Sequence, residues 1–215
     1  MFPLSTVVFP GMTVPLHVFE ARYRALVGQL LTENDPTQRV FGTLAIREGY
    51  EVGDHGAQSL YRVGTLMQLT EDDERADGTF DIIAVARERI ELDEMVPGKP
   101  HPQARIHIWP DDREEVPEEI AIRARAVFTA YRAAVADLHG DPLPGRLPRD
   151  PEYLSWTLAA LVPLPMAERQ LLLEAAGPLK RLQRVTGYLR DELRAINVIP
   201  SLPATELSRT RWSPN

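Results

Sequence analysis

The sequence has 215 residues, and of its 24 lysine and arginine side chains only Lys99 and Lys180 are lysines. Any reaction that requires a lysine must therefore use one of these two. A phosphate-binding P-loop needs Gly-x-x-x-x-Gly-Lys-Ser/Thr, in which backbone amides surround the phosphates and the lysine neutralises them. Lys99 precedes Pro100 and Lys180 follows Leu179, so neither lysine fits that motif. No serine lies in a Gly-x-Ser-x-Gly elbow, and no local pattern joins a serine to either lysine. We therefore predict no catalytic residues and do not expect an enzyme.

The histidines and carboxylates lack the spacing of metal ligands. His101 and His107 are six residues apart without a third ligand at a useful distance, and the other histidines are isolated. The acidic segment from Glu71 to Gly78 lacks the ligand spacing and terminal glutamate of a calcium loop, and we interpret it as a solvated polar turn. Cysteine is absent, which excludes disulfides and thiolate ligands. We predict no metal site and no cofactor.

Charge and hydropathy narrow the classes of partner. The formal net charge is −7, which disfavours general binding to phosphate backbones and makes nucleic acid an unlikely ligand. No stretch approaches 18 consecutive apolar residues, so no membrane span is expected. The first residues lack a basic region before an apolar segment, so no secretory signal is expected either. The sequence therefore predicts a cytoplasmic protein.

The first hundred residues are predicted to form a β-rich unit with one helix. A short apolar run at Val7–Phe9 is stopped by Pro10-Gly11, and a second extended run covers Val14–Phe19, with its proline at an edge or strand start. The helical spacing that follows predicts one amphipathic helix after Glu20. Its apolar face is Tyr23, Leu26, Val27, Leu30 and Leu31. Further strands are expected at 40–46, 60–69, 80–85 and 105–109, with a loop at 49–56. Ile90 and Leu92 are expected to continue the strand at 80–85 or to belong to its neighbour.

Helical periodicity replaces strand alternation near Pro117. One helix is expected from there to Gly140, followed by a linker at 141–149. Asp150-Pro151 offers an N-cap with proline at the first helical position, and further helices are expected after Pro165 and through 179–196. We predict an α+β protein with a β-rich subdomain at 1–112, a helical bundle at 113–199 and a mobile tail at 200–215.

Two nearly adjacent segments carry a resemblance to a known family. FPLSTVVFPGM at 2–12 and PLHVFEARYR at 15–24 closely resemble the N-terminal domain of Lon ATP-dependent proteases. The resemblance continues at VGTL (63–66) and at PLP and ERQLLLE (163–174), and so covers roughly residues 1 to 196. It implies a PUA-like β-barrel or curled sheet with one helix, followed by a helical bundle.

The resemblance also implies a function. In full-length Lon this domain helps to bind protein substrates, and ATPase and Ser–Lys protease domains follow it. We therefore expect a free-standing, non-catalytic module that binds an unfolded or specific polypeptide, with a separate protease or chaperone as a candidate partner. Its oligomeric state is left open.

Two alternatives stay open. One is a small-ligand-binding protein or an enzyme that reuses the PUA-like fold, with polar groups converging around His17, Glu20, Arg22, Arg87 or His107. The other is RNA binding, since the same fold occurs in RNA-binding proteins, although fold alone does not transfer that function.

The candidate site residues fall into two sets. Apolar side chains expected along an exposed groove would contact polypeptide: Met12, Tyr61, Met67 and Trp109. The residues of the family motif are interpreted as structural, with Phe9 and Phe19 in the core, Pro10-Gly11 in a turn, and Glu20 accepting amide hydrogen bonds or pairing with Arg24. The full motif set is Phe9, Pro10, Gly11, Pro15, His17, Phe19, Glu20, Arg22, Tyr23 and Arg24.

Overall fold

The computed structural model describes residues 1–47, 60–97, 100–139 and 145–198, apart from the side chains of 137–139, 197 and 198. These residues fall into two compact units, Met1–Pro110 and a second that begins at Asp111. Several predicted features lie outside the described residues: the loop at 49–56, the helix stop at Gly140, the first part of the linker and the tail at 200–215.

The first unit is an antiparallel sheet with one α-helix. Its elements are β1 (Thr13–Val18), α1 (Ala21–Leu31), a short 3-10 helix (Pro36–Gln38), β2 (Val40–Thr43), β3 (Val63–Glu74), β4 (Phe80–Val96) and β5 (Gln103–Ile108). The strand order is β1-β4-β3-β2, and β5 also pairs with β4.

β4 is 17 residues long and pairs with three neighbouring strands. β3 pairs with residues 80–91 along one edge of β4. On the other edge β1 pairs with residues 80–85 and β5 with residues 90–96. At residues 87–88 two residues of β4 oppose one of β3, and such a bulge bends a strand and increases its twist. β1 and β5 therefore follow each other along one edge of a curled strand.

Side-chain alternation places the core on one side of this sheet. In β1, Val14, Leu16 and Val18 are buried and the residues between them are exposed. Pro15 lies in an edge strand, where its missing N–H removes no ladder bond, so the predicted edge position is confirmed. The predicted apolar face of α1 is also confirmed, since Tyr23 and the three residues that share its face pack into the same core.

Residues 1–9 run beside β2 without forming a strand of their own. The N–H of Phe2 donates to the carbonyl of Gly42 at 2.8 Å, and the amino group of Met1 donates to the carbonyl of Pro102 at 2.7 Å. The expected strand at Val7–Phe9 is wrong, because these residues are buried but irregular. The carbonyl of Val8 accepts its bond from the side-chain Oγ1 of Thr65 at 2.7 Å instead of from a strand partner.

The acidic segment is mostly strand. We predicted a polar turn from Glu71 to Gly78, but β3 continues to Glu74, where it pairs with Phe80. The turn is confined to Arg75–Gly78, and Gly78 has a φ of 77° that favours glycine. The prediction was wrong because carboxylates on a projecting hairpin stay solvated while its backbone pairs; all four acidic side chains of residues 71–74 are exposed.

The second unit contains four helices: α2 (Glu118–His139), α3 (Pro151–Leu161), α4 (Met166–Leu173) and α5 (Pro178–Val198). The predicted cap of α3 is confirmed, because the Asp150 carboxylate accepts from the N–H groups of Glu152 and Tyr153 at 2.9 and 3.0 Å. Among the described residues no helix combines the length and the apolar character that crossing a membrane requires.

Arg181 is a fully buried charge at the centre of the second unit. Its guanidinium donates to both Asp111 carboxylate oxygens at 2.7 and 2.9 Å and to Ser155 Oγ at 2.7 Å. It also donates to the Leu172 carbonyl at 3.3 Å and lies 3.0 Å from the centre of the Trp156 ring. One side chain of α5 thus joins α3, α4 and the segment that opens the unit.

Gly64→Ala should destabilise the first unit by about 3 kcal/mol or more, because the added Cβ would overlap the Thr43 backbone carbonyl and force β2 away from β3. Gly28→Ala is the matched control, since no atom lies within 4 Å of its added Cβ and it lies in α1. This control should gain up to about 1 kcal/mol. Urea unfolding measures both free energies, and equal changes would contradict the close approach.

Asp111→Asn should cost about 3 to 5 kcal/mol, because the Arg181 charge would remain buried without its counter-ion. Asp191→Asn removes the same charge from an exposed pair with Arg194, whose side chains are 71% and 77% exposed. That control should change stability by less than about 1 kcal/mol. Thermal unfolding compares the two variants, and similar losses would show that Arg181 does not depend on Asp111.

Burial lowers the pKa of the Met1 amino group to about 6 from its usual value of 8.0. The charged amine is therefore disfavoured in the folded state, and the unfolded chain binds more protons between these two values. Stability of a chain with a free Met1 amine should rise by about 2 kcal/mol from pH 6 to pH 8. The same chain extended by Gly-Ser moves the titrating amine into solvent and should show a smaller slope; equal slopes would contradict the burial.

Candidate functional site

The structure brings two of the four candidate contact residues to the same part of β4. The carbonyl of Met12 accepts from the N–H of Ala86 at 2.9 Å, and the N–H of Trp109 donates to the carbonyl of Arg89 at 2.9 Å. Both side chains are partly exposed. Three residues of extended strand span about 10 Å, so Met12 and Trp109 flank the bulge where β1 gives way to β5.

The other two candidates lie elsewhere. Tyr61 is partly exposed and its N–H donates to the carbonyl of Ala45 at 2.9 Å, before β3 begins. Met67 has no exposed surface and belongs to the core between the sheet and α1. The expectation that Met67 lines an exposed groove is therefore wrong, because its position in β3 faces inward.

Trp109 is held in place by a buried cation. The Arg89 guanidinium lies 4.6 Å from the centre of the Trp109 ring and donates to the carbonyl of Pro110 at 3.1 Å. Arg89 is only 2% exposed, so the cation–π contact is sheltered from water and is stronger than an exposed one. The neighbouring Ile108 is 43% exposed. The end of β5 thus presents a fixed aromatic ring beside an apolar side chain.

The motif residues divide between core and surface. Phe9 is fully buried, which confirms its expected place in the core, but Phe19 is 48% exposed, so its expected burial is wrong. Phe19 follows the last residue of β1, where the chain turns into α1, and its ring stacks on His17 with 6.0 Å between centres. His17 lies on the exposed side of β1, where its Nδ1 is 2.7 Å from the Asp81 carboxylate.

Glu20 begins α1 through its backbone. Its carbonyl accepts from the N–H groups of Tyr23 and Arg24 at 3.0 and 2.9 Å, and its carboxylate makes no capping bond. The carboxylate pairs with Arg22 at 2.9 Å, not with Arg24 as expected, because Arg24 instead reaches the carbonyl of Gly78 at 3.3 Å. These contacts support the structural interpretation of the motif.

The sheet has an exposed side that the sequence analysis did not identify. We call it the outer sheet face and define it by alternating residues of β1 and their partners in β4: Thr13, Pro15 and His17, with Val85, Ile83 and Asp81. Ile83 and Val85 are partly exposed beside the exposed Pro15. The sequence did contain a signal for this face. Residues 82–85 of β4 are all apolar, so apolar side chains lie on both sides of the strand, whereas its partner β1 alternates between buried and exposed residues.

One end of the outer sheet face is strongly acidic. Residues 71–81, here called the acidic hairpin, carry six carboxylates and one arginine, a net charge of −5. Asp81 is 2.7 Å from Nδ1 of His17 and 2.6 Å from Nε of Arg75. Hydrogen bonds from His17 and Arg75 hold the Asp81 pKa below its usual range.

The polar groups considered for a small-ligand pocket do not converge. His17 pairs with Asp81 in β4, whereas His107 contacts Glu91 at 3.3 Å and Asp93 at 2.9 Å. Ten residues of β4 separate these two sites, roughly 30 Å along a strand. Within the described ranges, no group of three His, Asp or Glu side chains is arranged to hold a metal ion.

The second unit has a groove of about 570 Å³ between α2 and residues 145–147. Its walls combine Arg125, Arg132 and Arg146 with Phe128 and Leu147. Arg125 donates to the carbonyls of Pro148 and Arg149, and Arg132 donates to that of Gly145 at 3.2 Å. Two of these arginines therefore fasten the segment before α3 to α2.

Similar proteins and structures agree with this architecture. The chain is 28% identical over 199 residues to "Lon protease 2" of Syntrophobacter fumaroxidans, covering 90% of this chain and 24% of that protein. It is 30% identical over 218 residues to "Lon protease" of Phenylobacterium zucineum, covering 98% of this chain and 26% of that protein. The chain thus spans about a quarter of the length of these curated relatives.

Two solved structures share the fold. A Lon N-terminal domain protein from Xanthomonas campestris has a TM-score of 0.63 at 23% identity, covering 87% of this chain and 95% of that one. The N-terminal domain of Mycobacterium avium complex Lon protease has a TM-score of 0.57 at 17% identity, covering 88% and 97%. The predicted α+β fold, a PUA-like sheet followed by helices, is confirmed.

The sequence family described as the ATP-dependent protease La (LON) substrate-binding domain matches residues 1–191. This match covers both units as far as the last turns of α5. The chain therefore belongs to the LON substrate-binding domain family.

Proposed function

We propose that this protein binds polypeptide segments, unfolded or from a specific partner, without cleaving them. It acts in the cytoplasm and passes the polypeptides it binds, here called its clients, to a separate protease or chaperone. The observation that carries the proposal is the outer sheet face, a partly apolar exposed surface on a member of a substrate-binding family.

The chemistry of this face suits unfolded chains. Pro15, Ile83 and Val85 present apolar atoms that a client side chain would shield from water, and Phe19 adds a ring that is 48% exposed. These side chains are short or rigid, so little rotamer entropy is lost when they are covered. An exposed apolar strip of this kind contacts many sequences without requiring a particular one.

Binding without cleavage is supported by how the polar groups are engaged. His17 is held by the Asp81 carboxylate, and His107 is held by Glu91 and Asp93. Within the 215 residues neither lysine lies in a P-loop or beside a serine in a recognisable pattern. The family resemblance therefore supports recognition of polypeptide more than its hydrolysis.

The double variant Ile83→Thr/Val85→Thr should weaken binding of a reduced and alkylated, permanently unfolded protein by about fivefold or more. Threonine keeps the β-branched shape that favours a strand, but its hydroxyl replaces a methyl group of Val85 and the ethyl group of Ile83, and each buried carbon contributes about 0.8 kcal/mol. Fluorescence anisotropy of the labelled unfolded protein measures the affinity, and gel analysis after incubation with and without ATP tests for cleavage.

Ile122→Thr is the matched control, because Ile122 is 57% exposed on α2 in the second unit. It should leave the affinity unchanged. Equal affinity of the double variant and the original protein would contradict binding at the outer sheet face. Fragments of the unfolded protein in the gel would contradict a role without cleavage.

A further inference from the structure

β3 extends beyond its neighbour β2 and leaves part of one edge unpaired. β2 pairs with residues 65–68 of β3 only, and the N–H of Leu69 then donates to the carbonyl of Arg39 at 2.8 Å. A bulge follows between Leu69 and Glu71. From Glu71 to Glu74, β4 is the only strand among the described residues that pairs with β3. The far edge of the acidic hairpin is therefore open to another strand.

The hairpin ladder shows which backbone groups face this edge. The N–H of Arg75 donates to the carbonyl of Thr79 at 2.9 Å, so Arg75 uses its backbone groups toward β4. Because backbone orientation in a strand repeats every two residues, the N–H and C=O groups of Asp73 and Glu71 also point toward β4. The N–H and C=O groups of Asp72 and Glu74 then point away from β4. Four backbone groups are available to an added strand.

The carboxylates at this edge form no ion pair with a described basic side chain, although Arg75 interacts electrostatically with Asp73. Glu71, Asp72, Asp73 and Glu74 are all exposed, and none lies within salt-bridge distance of a described basic group. The net charge of −5 on the acidic hairpin compares with −7 for the entire chain. The hairpin is thus the main source of negative potential on the first unit.

We propose that the open β3 edge of the acidic hairpin binds an extended, basic polypeptide segment as an additional strand. This inference rests on the proposed function and names the class of client and the way it is held. Backbone hydrogen bonds to Asp72 and Glu74 would supply binding that does not depend on client sequence, as in other cases of strand addition.

Charge makes this edge selective. An added strand places its side chains about 4.5–5.5 Å from those of the neighbouring strand. Glu71 and Asp73 lie on the outer side of the sheet with Ile83 and Asp81, and Asp72 and Glu74 lie on the opposite side. Arginine or lysine on either side of the client therefore meets a carboxylate. A second copy of the same hairpin would bring carboxylates against carboxylates, which disfavours edge-to-edge pairing of two copies.

A peptide series tests the charge preference. Fluorescent eight-residue peptides alternating Val with Arg, Val with Gln, or Val with Glu have the same strand propensity pattern and differ in charge. The Arg peptide should bind the full chain at least about tenfold more tightly than the Glu peptide in low salt, and this ratio should shrink as salt rises. Asp72→Asn/Asp73→Asn should reduce the ratio, whereas Glu114→Gln/Glu115→Gln, which neutralises two exposed carboxylates of the second unit, should not.

A backbone variant tests strand addition separately from charge. Glu74→Pro removes an outward N–H that β4 does not use, and Glu74→Gln removes the same charge but keeps the N–H. Glu74→Pro should bind the Arg peptide about fivefold more weakly than Glu74→Gln, with circular dichroism and thermal unfolding confirming that both variants fold. A Val-Arg peptide with an N-methyl group on every residue, which blocks the N–H groups of both its edges, should lose binding in the same way.

The outcomes separate this inference from the proposed function. Equal binding of the Arg and Glu peptides, or of Glu74→Pro and Glu74→Gln, overturns the inference while binding of the unfolded protein by the original chain still stands. Failure of the original chain to bind either the unfolded protein or any peptide overturns both. Arg-selective binding that Glu74→Pro weakens supports the basic strand and its position.

Discussion

Pairing along β4 positions every surface of the first unit that bears on binding. One edge of this 17-residue strand is occupied by β3, and the other is shared by β1 and β5 in succession. A strand this long cannot remain flat, because right-handed twist accumulates along it, and the bulge at residues 87–88 adds to the bend. The acidic hairpin leads into β4, the outer sheet face lies along the first half of β4 and its partner β1, and Trp109 is hydrogen-bonded to β4 beside the bulge. A change in β4 register would displace all three.

The second unit depends on a different kind of constraint. Arg181 has no exposed surface, so its charge is tolerated only because Asp111, Ser155 and the Leu172 carbonyl accept its hydrogen bonds. Apolar packing holds helices together over a range of angles, whereas a guanidinium with fixed donor directions selects one arrangement. The first unit is thus ordered by backbone pairing and the second by a buried ion pair, and each unit carries its own determinant of structure.

Local patterns predicted the parts of the fold that local physics controls. The face of α1 is predicted by its helical period, the edge position of Pro15 by its missing N–H, and the Asp150 cap by hydrogen bonds to residues two and three positions ahead. Phe19 was placed wrongly because its exposure depends on the direction the chain takes between β1 and α1, which no periodicity encodes. The buried pair of Arg181 and Asp111 joins residues 70 apart, and an isolated arginine among many gives no sign of such a partner. The outer sheet face was missed for the related reason that the exposure of Ile83 and Val85 depends on what the sheet leaves uncovered.

The contact between the Met1 amino group and Pro102 joins residues 101 positions apart. A ribosome adding about 5 to 20 residues per second needs about 5 to 20 s to supply the second partner after the first has been made. Over that interval the segment Phe2–Phe9, which ends buried beside β2, has no completed sheet to cover it. Its own sequence is apolar and extended, so the nascent protein resembles the clients it is proposed to bind. Under the proposed function, a newly made chain would compete with unfolded clients for the outer sheet face of copies that have already folded, whereas its uncharged segment Phe2–Phe9 would gain nothing from the charge of the acidic hairpin.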